Sequence, residues 1–344
     1  VSSRRYLLEV PAGIEVITRG ELKRLGLTRP QSVPGGFRLA DAAALAKANA
    51  IRTSAAAYLS ITFDVPRPKG LLGDAAFREL VAALKEVMAG AKFSGLRLSA
   101  AGADSPTLTR LAGELAKVTG LRLDQEDGEL LVRLRPDPVG TGWEVLVRLT
   151  PRPASTRQWR VCNRPGGLNA PVAAAMNELV GLGHRDSYLN LLSGSGTLLI
   201  ERALRAPAAR LVGFDIEPEA VACAGANASA ARVSGRVEWL VGDVTDEQFI
   251  ARVGASGGFD ALTADAPWGD AVGAHALNRK LYPRLLTAAA ALARPKAKFC
   301  VLSHEVKLLR SVVAAQSEWR VERELQVAHG GHNPLLLLLA KGQE

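Results

Sequence analysis

The chain has 344 residues, 48% hydrophobic and 22% charged, enough core-forming side chains for two or three globular domains. The opening "VSSRRYLLEVPAG" carries no long apolar run, and the greasiest stretch, "PLLLLLA", is too short to cross a bilayer, so a soluble protein with no membrane partner is expected. The net charge of +9 is lopsided: residues 1–165 carry 25 Lys and Arg against 16 Asp and Glu, while residues 166–344 carry 18 of each.

A basic surplus confined to the N-terminal half points to a polyanion such as nucleic acid docked there, because phosphate neutralisation by Lys and Arg dominates such binding. A general arginine bias would raise both halves. Cys162, Cys223 and Cys300 are scattered, odd in number and form no CxxC, which argues against a disulfide framework and fits a reducing cytoplasm. His329 and His332 in "HGGHNP" have no Cys or carboxylate at ligand spacing, so a strand-end turn is expected there and no metal.

In chain order, "RRYLLEV" reads as a strand, with a helix from about Ile14. "GGFRLA" reads as a strand, and "DAAALAKANAIRTS" as a helix with Asp41 as N-cap. "AAYLSITFDV" alternates as a strand does. This unit suits a ferredoxin-like α+β domain over residues 1–66, ended by the proline-rich "PRPKG". A helix "DAAFRELVAALKEVMAG", a strand "GLRLSAAG" and a helix "SPTLTRLAGELAKVTG" follow, the last with Ser105 as N-cap and Pro106 at the first helical position. Strands "LRLDQ", "ELLVRLRP" and "GWEVLVRLT" complete a second domain over 67–150. The Pro- and Arg-rich segment 151–167 reads as a connector.

From Leu168 to Glu344 strands and helices alternate, which predicts a mostly parallel sheet wrapped by helices, with ligands at the C-terminal ends of the strands. The helix after the fourth strand is expected to begin at Tyr282, in "YPRLLTAAAALA". Four loops fall at strand ends. Ser193-Gly194-Ser195-Gly196-Thr197 joins a strand to a helix, where small residues let a ligand approach free backbone N–H groups; a tight turn would use the same residues. Asp215 ends the next strand about 20 residues on, placed for ribose hydroxyls or as a helix cap. Asp243 ends a third strand, where a carboxylate can take an adenine amine; Asp246 reads as a cap. The glycine spacing is neither GxGxxG nor a P-loop, which favours S-adenosylmethionine over NAD or ATP.

The fourth loop is "DAPWG". Asp265 and the Ala266 carbonyl, held extended by Pro267, are acceptors that together suit both protons of an exocyclic amine. Trp268 offers a face to a base swung out of its helix. A structural turn with an inward Trp is the alternative.

In this order, "NLLSGSGTLLIERAL", "GFDIEPEAVACAGANASAA", "VGDVTDEQF" and "DAPWG" resemble the THUMP-domain RNA methyltransferases that make N2-methylguanosine in tRNA. "PASTRQWR", "LNAPVAAAM", "LNRKLYPRLL" and "HGGHNPLLLLLA" add to a resemblance that covers nearly the whole chain. It implies an α/β fold: a Rossmann-like class I methyltransferase domain over 168–344 behind ferredoxin-like and THUMP domains. It also implies S-adenosylmethionine held by Asn190, Ser193, Gly194, Ser195, Gly196, Thr197, Asp215, Ile216, Asp243 and Val244. Catalysis would fall to Asp265, Ala266, Pro267 and Trp268, and RNA contact to Arg157 and Arg160 in the connector. The implied product is N2-methylguanosine in the acceptor stem of tRNA, of the position 6 type, made by a cytoplasmic monomer. An rRNA guanine-N2 or an adenine-N6 methyltransferase is the rival on the same chemistry, and a catalytically decayed RNA-binding protein the rival in class. Three positions in two motifs depart from the family. Asn190 and Ser193 replace its usual Asp and Cys, and Ala266 replaces the first of two prolines, which gives up the restriction on Asp265.

Overall fold

The computed structural model describes residues 4–27, 29–48, 50–138, 140–268 and 274–342. The chain gathers into two units, residues 1–10 with 18–155 and residues 11–17 with 156–344.

The first unit is built on β1 (Arg4–Glu9), α1 (Glu15–Arg24), β2 (Gln31–Val33), β3 (Gly36–Leu39), α2 (Ala42–Ala48), β4 (Ala56–Phe63), α3 (Asp74–Gly90), β5 (Leu96–Ser99), α4 (Pro106–Thr119), β6 (Leu130–Pro136) and β7 (Trp143–Arg148). One seven-stranded sheet, β2-β3-β1-β4-β7-β6-β5, crosses the expected division at 66–67, because β4 pairs Tyr58 with Leu7 on one side and with Arg148 on the other. Leu80, Leu84, Leu111 and Leu115 of α3 and α4 are buried in the same cluster as Ile61, Val132 and Val145 of the sheet. Asp41 caps α2, its Oδ1 accepting from Ala44 N at 2.7 Å. Ser105 precedes α4 without a side-chain capping bond. "LRLDQ" is not a strand: Asp124 Oδ1 takes Glu126 N and Asp127 N and turns the chain, leaving a single bridge from Leu123 to Leu96.

Part of the basic surplus of this unit is committed internally. Glu144 is fully buried and accepts from Ser60 Oγ (2.6 Å), Arg38 (3.0 Å) and Arg135 (2.7 Å). Burial opposes its charge, but these hydrogen bonds outweigh burial and hold the carboxyl below the usual range.

The second unit contains α5 (Ala170–Val180), β8 (Ser187–Leu191), α6 (Thr197–Arg205), β9 (Arg210–Asp215), α7 (Pro218–Ala230), β10 (Glu238–Val241), α8 (Glu247–Gly254), β11 (Phe259–Asp265), α9 (Ala274–Leu292), β12 (Ala293–Ser303), α10 (Val306–Ala314), β13 (Trp319–Gln326) and β14 (Leu335–Lys341). Its sheet runs β10-β9-β8-β11-β12-β14-β13, parallel except where β14 meets β12 and β13. The five leucines of β14 are buried, as a continuous apolar run requires of a strand inside a sheet. Edge strand β13 is studded with exposed Arg and Glu, which discourages pairing with another chain. Helix α9 begins two turns before Tyr282 and runs through Pro283. The strand-end turn expected at "HGGH" is present, His329 and His332 exchanging backbone hydrogen bonds of 3.0 and 2.9 Å.

Leu337 is 1% exposed in the core of this unit. Leu337→Ala is expected to cost about 3 kcal/mol, read from the denaturant midpoint.

Candidate active site

β8 and β11 are neighbours, yet the chain leaves β8 toward β9 on one side and enters β12 on the other side of β11. At such a reversal the strand-end loops splay apart and open a crevice. A cavity of about 1330 Å³ lies there. It is lined by Ser193, Gly194, Ser195 and Thr197 after β8, Asp215 and Ile216 after β9, Asp243 and Val244 after β10, and Asp265, Ala266, Pro267 and Trp268 after β11. The volume exceeds what one drug-sized ligand commonly fills, leaving room for two.

The two loop glycines serve different ends. Gly194 has φ +51°, and a Cβ there would meet nothing within 4 Å, so its bare backbone faces the open cavity. Gly196 has φ +82°, and a Cβ there would lie 2.7 Å from Trp239 and 2.9 Å from Ala224, so it is needed for packing. Asp215 is partly committed. Its Oδ2 accepts from Gly194 N (2.8 Å) and its Oδ1 from Glu217 N (3.1 Å), which fixes its aim and leaves further lone pairs. Asp243 Oδ1 accepts from Thr245 N at 2.7 Å, and Asp246 caps α8 through Gln248 N and Phe249 N. A bare glycine, two oriented carboxylates and the apolar Ile216 and Val244 suit the ribose and base of an adenosine-type cofactor.

Asn190 and Gly196 do not line the cavity. Asn190 is fully buried in β8, its Nδ2 bonded to Leu191 O (3.2 Å) and Thr263 O (3.1 Å), so it ties β8 to β11 behind the cavity wall.

The acceptor end is arranged around Asp265. Its Oδ1 is enclosed and has no hydrogen-bond partner among the described residues. Burial pushes the carboxyl up to about 7, and a hydrogen bond from the Trp268 side chain draws it part of the way back. The loop beyond it is tied down. Ala266 N donates to Leu302 O on β12 at 2.9 Å, a bond that a proline could not make. The Pro267 carbonyl accepts from Asn278 Nδ2 (3.0 Å) and Tyr282 Oη (2.9 Å), one turn apart on α9. Tyr282 Oη also meets Ser303 Oγ at 2.7 Å, and burial pushes the phenol up to about 12, so it stays a donor at neutral pH. No hydrogen bond among the described residues occupies the Ala266 carbonyl. Asp265 Oδ1 and the carbonyl of the next residue, Ala266, are thus both without a partner among the described residues, in a loop fixed by these bonds. The restriction on Asp265 that a first proline would supply is supplied here by the Ala266 N–H. Gly269 lies outside the described residues.

Trp268 is only partly available as a platform. One side of its indole is covered by His304, with ring centroids 3.6 Å apart, and His329 meets it edge-on at 5.4 Å. Burial, with Arg160 and His332 nearby, lowers the His329 pKa and keeps that ring neutral.

The connector departs from expectation in two ways. Arg157 and Arg160, expected at the RNA, have partners within the fold. Arg157 pairs with the buried Glu201 at 2.8 Å, and Arg160 bonds Leu168 O and Thr197 Oγ1, both at 2.7 Å. They lock the connector onto α6, because their guanidinium groups find acceptors in the fold. Cys162 and Cys223 form a disulfide, contrary to the reading of scattered, odd-numbered cysteines; the connector lies along α7, which brings residues 61 apart to a Cα separation of 5.5 Å. Asn227 on α7 completes this join, bonding Cys162 O (2.9 Å), Cys162 N (2.9 Å) and Ser195 O (3.0 Å). Asn227, Asn278 and Tyr282 were missed from the sequence. The i, i+4 spacing of Asn278 and Tyr282 was the available signal, hidden by starting the helix at Tyr282.

Residues 157–334 match the model of UPF0020, the RMKL-like methyltransferase domain. The chain belongs to this family. A tRNA (guanine(6)-N2)-methyltransferase of Methanocaldococcus jannaschii is 24% identical over 214 residues, 51% of this chain and 54% of that protein, so the chain spans about half the length of this curated relative. Among solved structures, TrmN from Thermus thermophilus aligns with a TM-score of 0.76 at 21% identity over 98% of this chain and all of that one. A possible methylase from Clostridium difficile aligns with 0.73 at 16% identity over all of this chain and 99% of that one. These likenesses show a Rossmann-like class I methyltransferase fold in the second unit. No helix among the described residues is long and apolar enough to cross a membrane, and no group of three His, Cys, Asp or Glu among them is placed to hold a metal ion.

The two glycines separate in their expected effects. Gly194→Ala is expected to weaken S-adenosylhomocysteine binding by tenfold or more in calorimetry while lowering the thermal midpoint by only a few degrees. Gly196→Ala is expected to lower the midpoint further, since Trp239 and Ala224 must move.

Proposed function

We propose that this protein is an S-adenosylmethionine-dependent RNA methyltransferase that makes N2-methylguanosine in tRNA, in the acceptor stem and of the position 6 type. The observation that carries this is the pair of vacant acceptors, Asp265 Oδ1 and Ala266 O, at one end of a cavity whose other end suits adenosine. An exocyclic amine has two protons to give, and two acceptors held side by side orient its nitrogen lone pair. The named relative from Methanocaldococcus jannaschii supports guanine and tRNA. S-adenosylmethionine supplies the methyl group as an electrophile on its sulfonium.

The residues of this chain do the rest. Gly194, Asp215 and Asp243 seat the cofactor. Asp265 and Ala266 take the amine protons and face the nitrogen toward the donor, and the raised carboxyl of Asp265 can accept the proton released as the new N–C bond forms. Trp268 packs against the base on the side not covered by His304. We further read residues 67–150 as a THUMP domain and the basic surplus of the N-terminal half as a tRNA grip, with the protein acting in the cytoplasm as a monomer.

Adenine-N6 transfer is the second reading, since the same acceptor pair suits that amine. The decayed-protein reading loses support from the vacant acceptors and the hydrogen-bonded Ala266.

Labelled cofactor with bulk tRNA, followed by nucleoside analysis, tests the proposal. Label in N2-methylguanosine is expected; label in N6-methyladenosine, or only in rRNA or DNA, overturns it. Asp265→Ala is expected to abolish transfer with cofactor affinity nearly unchanged. Catalysis needs the carboxylate, which forms as pH rises through about 7. Single-turnover rates are therefore expected to climb about tenfold per unit below pH 7 and level off near pH 8. Asp265→Asn, which does not titrate, should remove that limb. The stability effect has the opposite sign: the folded state holds this proton more tightly than the unfolded chain, so stability falls as pH rises from about 4 to about 7.

A further inference from the structure

We propose that the exposed face of α9 is the element that holds RNA open at the site, with Leu277 as an apolar wedge and Lys280 and Arg284 as phosphate contacts. This rests on the reading of the cavity as an RNA methyltransferase site.

Leu277, Lys280, Leu281 and Arg284 recur at i, i+3, i+4 and i+7 and all line the cavity, so they share one helical face at its mouth. Leu277 is 69% exposed, more than any other large apolar side chain among the described residues. Its place is not accidental to the chemistry. The next residue, Asn278, is bonded to the Pro267 carbonyl, so the backbone that carries Leu277 is fixed against the loop that carries Asp265. A base drawn out of a stack leaves a gap, and proteins that unstack bases fill such gaps with exposed Leu, Ile, Phe or Met.

Charge points the same way. Of the cations that line the cavity, Arg164 is paired with Glu217, as Arg294 is with Asp260 and Arg310 with Glu324 elsewhere in this unit. Lys280 and Arg284 have no carboxylate partner among the described residues, and neither does Arg279 beside them. Unpaired, solvent-facing cations flanking an exposed leucine, next to a pair of amine acceptors, fit the phosphates on either side of an extruded nucleotide. Arg157 and Arg160 are hydrogen-bonded within the fold instead.

Two measurements test this. Binding of bulk tRNA by fluorescence anisotropy across salt concentrations reads the cations. The double variant Lys280→Ala/Arg284→Ala is expected to weaken binding about tenfold near 0.1 M salt and to make the log–log salt slope shallower by about one to two. An unchanged slope overturns the phosphate contacts, as does a wild type that binds no tRNA. Leu277→Ala reads the wedge. On the tRNA that the wild type methylates, kcat/KM is expected to fall about tenfold. On the same transcript with a mismatch opposite the methylated nucleotide, the loss should shrink to within about twofold. An equal loss on both, or none, overturns the wedge. All variants should keep the wild-type thermal midpoint, because the altered side chains are exposed. Should the wild type methylate adenine, the proposed product falls, while the wedge is still tested on that nucleotide. Should it bind tRNA but methylate no RNA, the wedge falls with the enzymatic reading, and the salt slope still decides the phosphate contacts.

Discussion

The hydrogen bonds from Asn278 and Tyr282 to the Pro267 carbonyl fix the loop that carries Asp265 within the second unit. They join α9 to the loop after β11, and Ala266 N on Leu302 O joins the same loop to β12. With those bonds made, Asp265 Oδ1 and the Ala266 carbonyl are left without a hydrogen-bond partner among the described residues. A buried carboxylate oxygen with no donor is costly in a folded chain. The rise of the Asp265 carboxyl to about 7 is the physical trace of that cost.

The opposite end of the cavity is organised by a different constraint, the join between the connector and the sheet. Asn227 spans Cys162 and Ser195, while Arg160 spans Leu168 and Thr197. The segment that follows the first unit is thus part of the wall behind the glycine loop. Two arginines that look in one dimension like RNA contacts are the fasteners of that wall. Arg279, Lys280 and Arg284 of α9 line the cavity.

Ala266 shows how a departure from a motif is read differently in three dimensions. As a letter in "DAPWG" it removes a ring that would stiffen Asp265. In the fold it restores an N–H, and β12 offers a carbonyl at hydrogen-bonding distance to receive it. The carbonyl of residue 266, one of the two acceptors on which the proposed chemistry rests, is the same in either residue.

The sequence by itself determined the alternating strands and helices of the second unit, the four strand-end loops and their order, and the acidic residues at three of those ends. Period-2 and period-3.6 patterns, with small residues between them, report local backbone geometry directly. It also determined where charge is in surplus, though not which charges are spent, as Glu144 with its two arginines shows. Only the tertiary structure decided that one sheet crosses residues 66–67, that Cys162 meets Cys223, that Arg157 and Arg160 turn inward and that α9 begins before Tyr282. Each of these depends on which distant segment supplies a partner. A strand pairing, a disulfide and a hydrogen bond are settled by proximity in space, which a one-dimensional pattern does not encode.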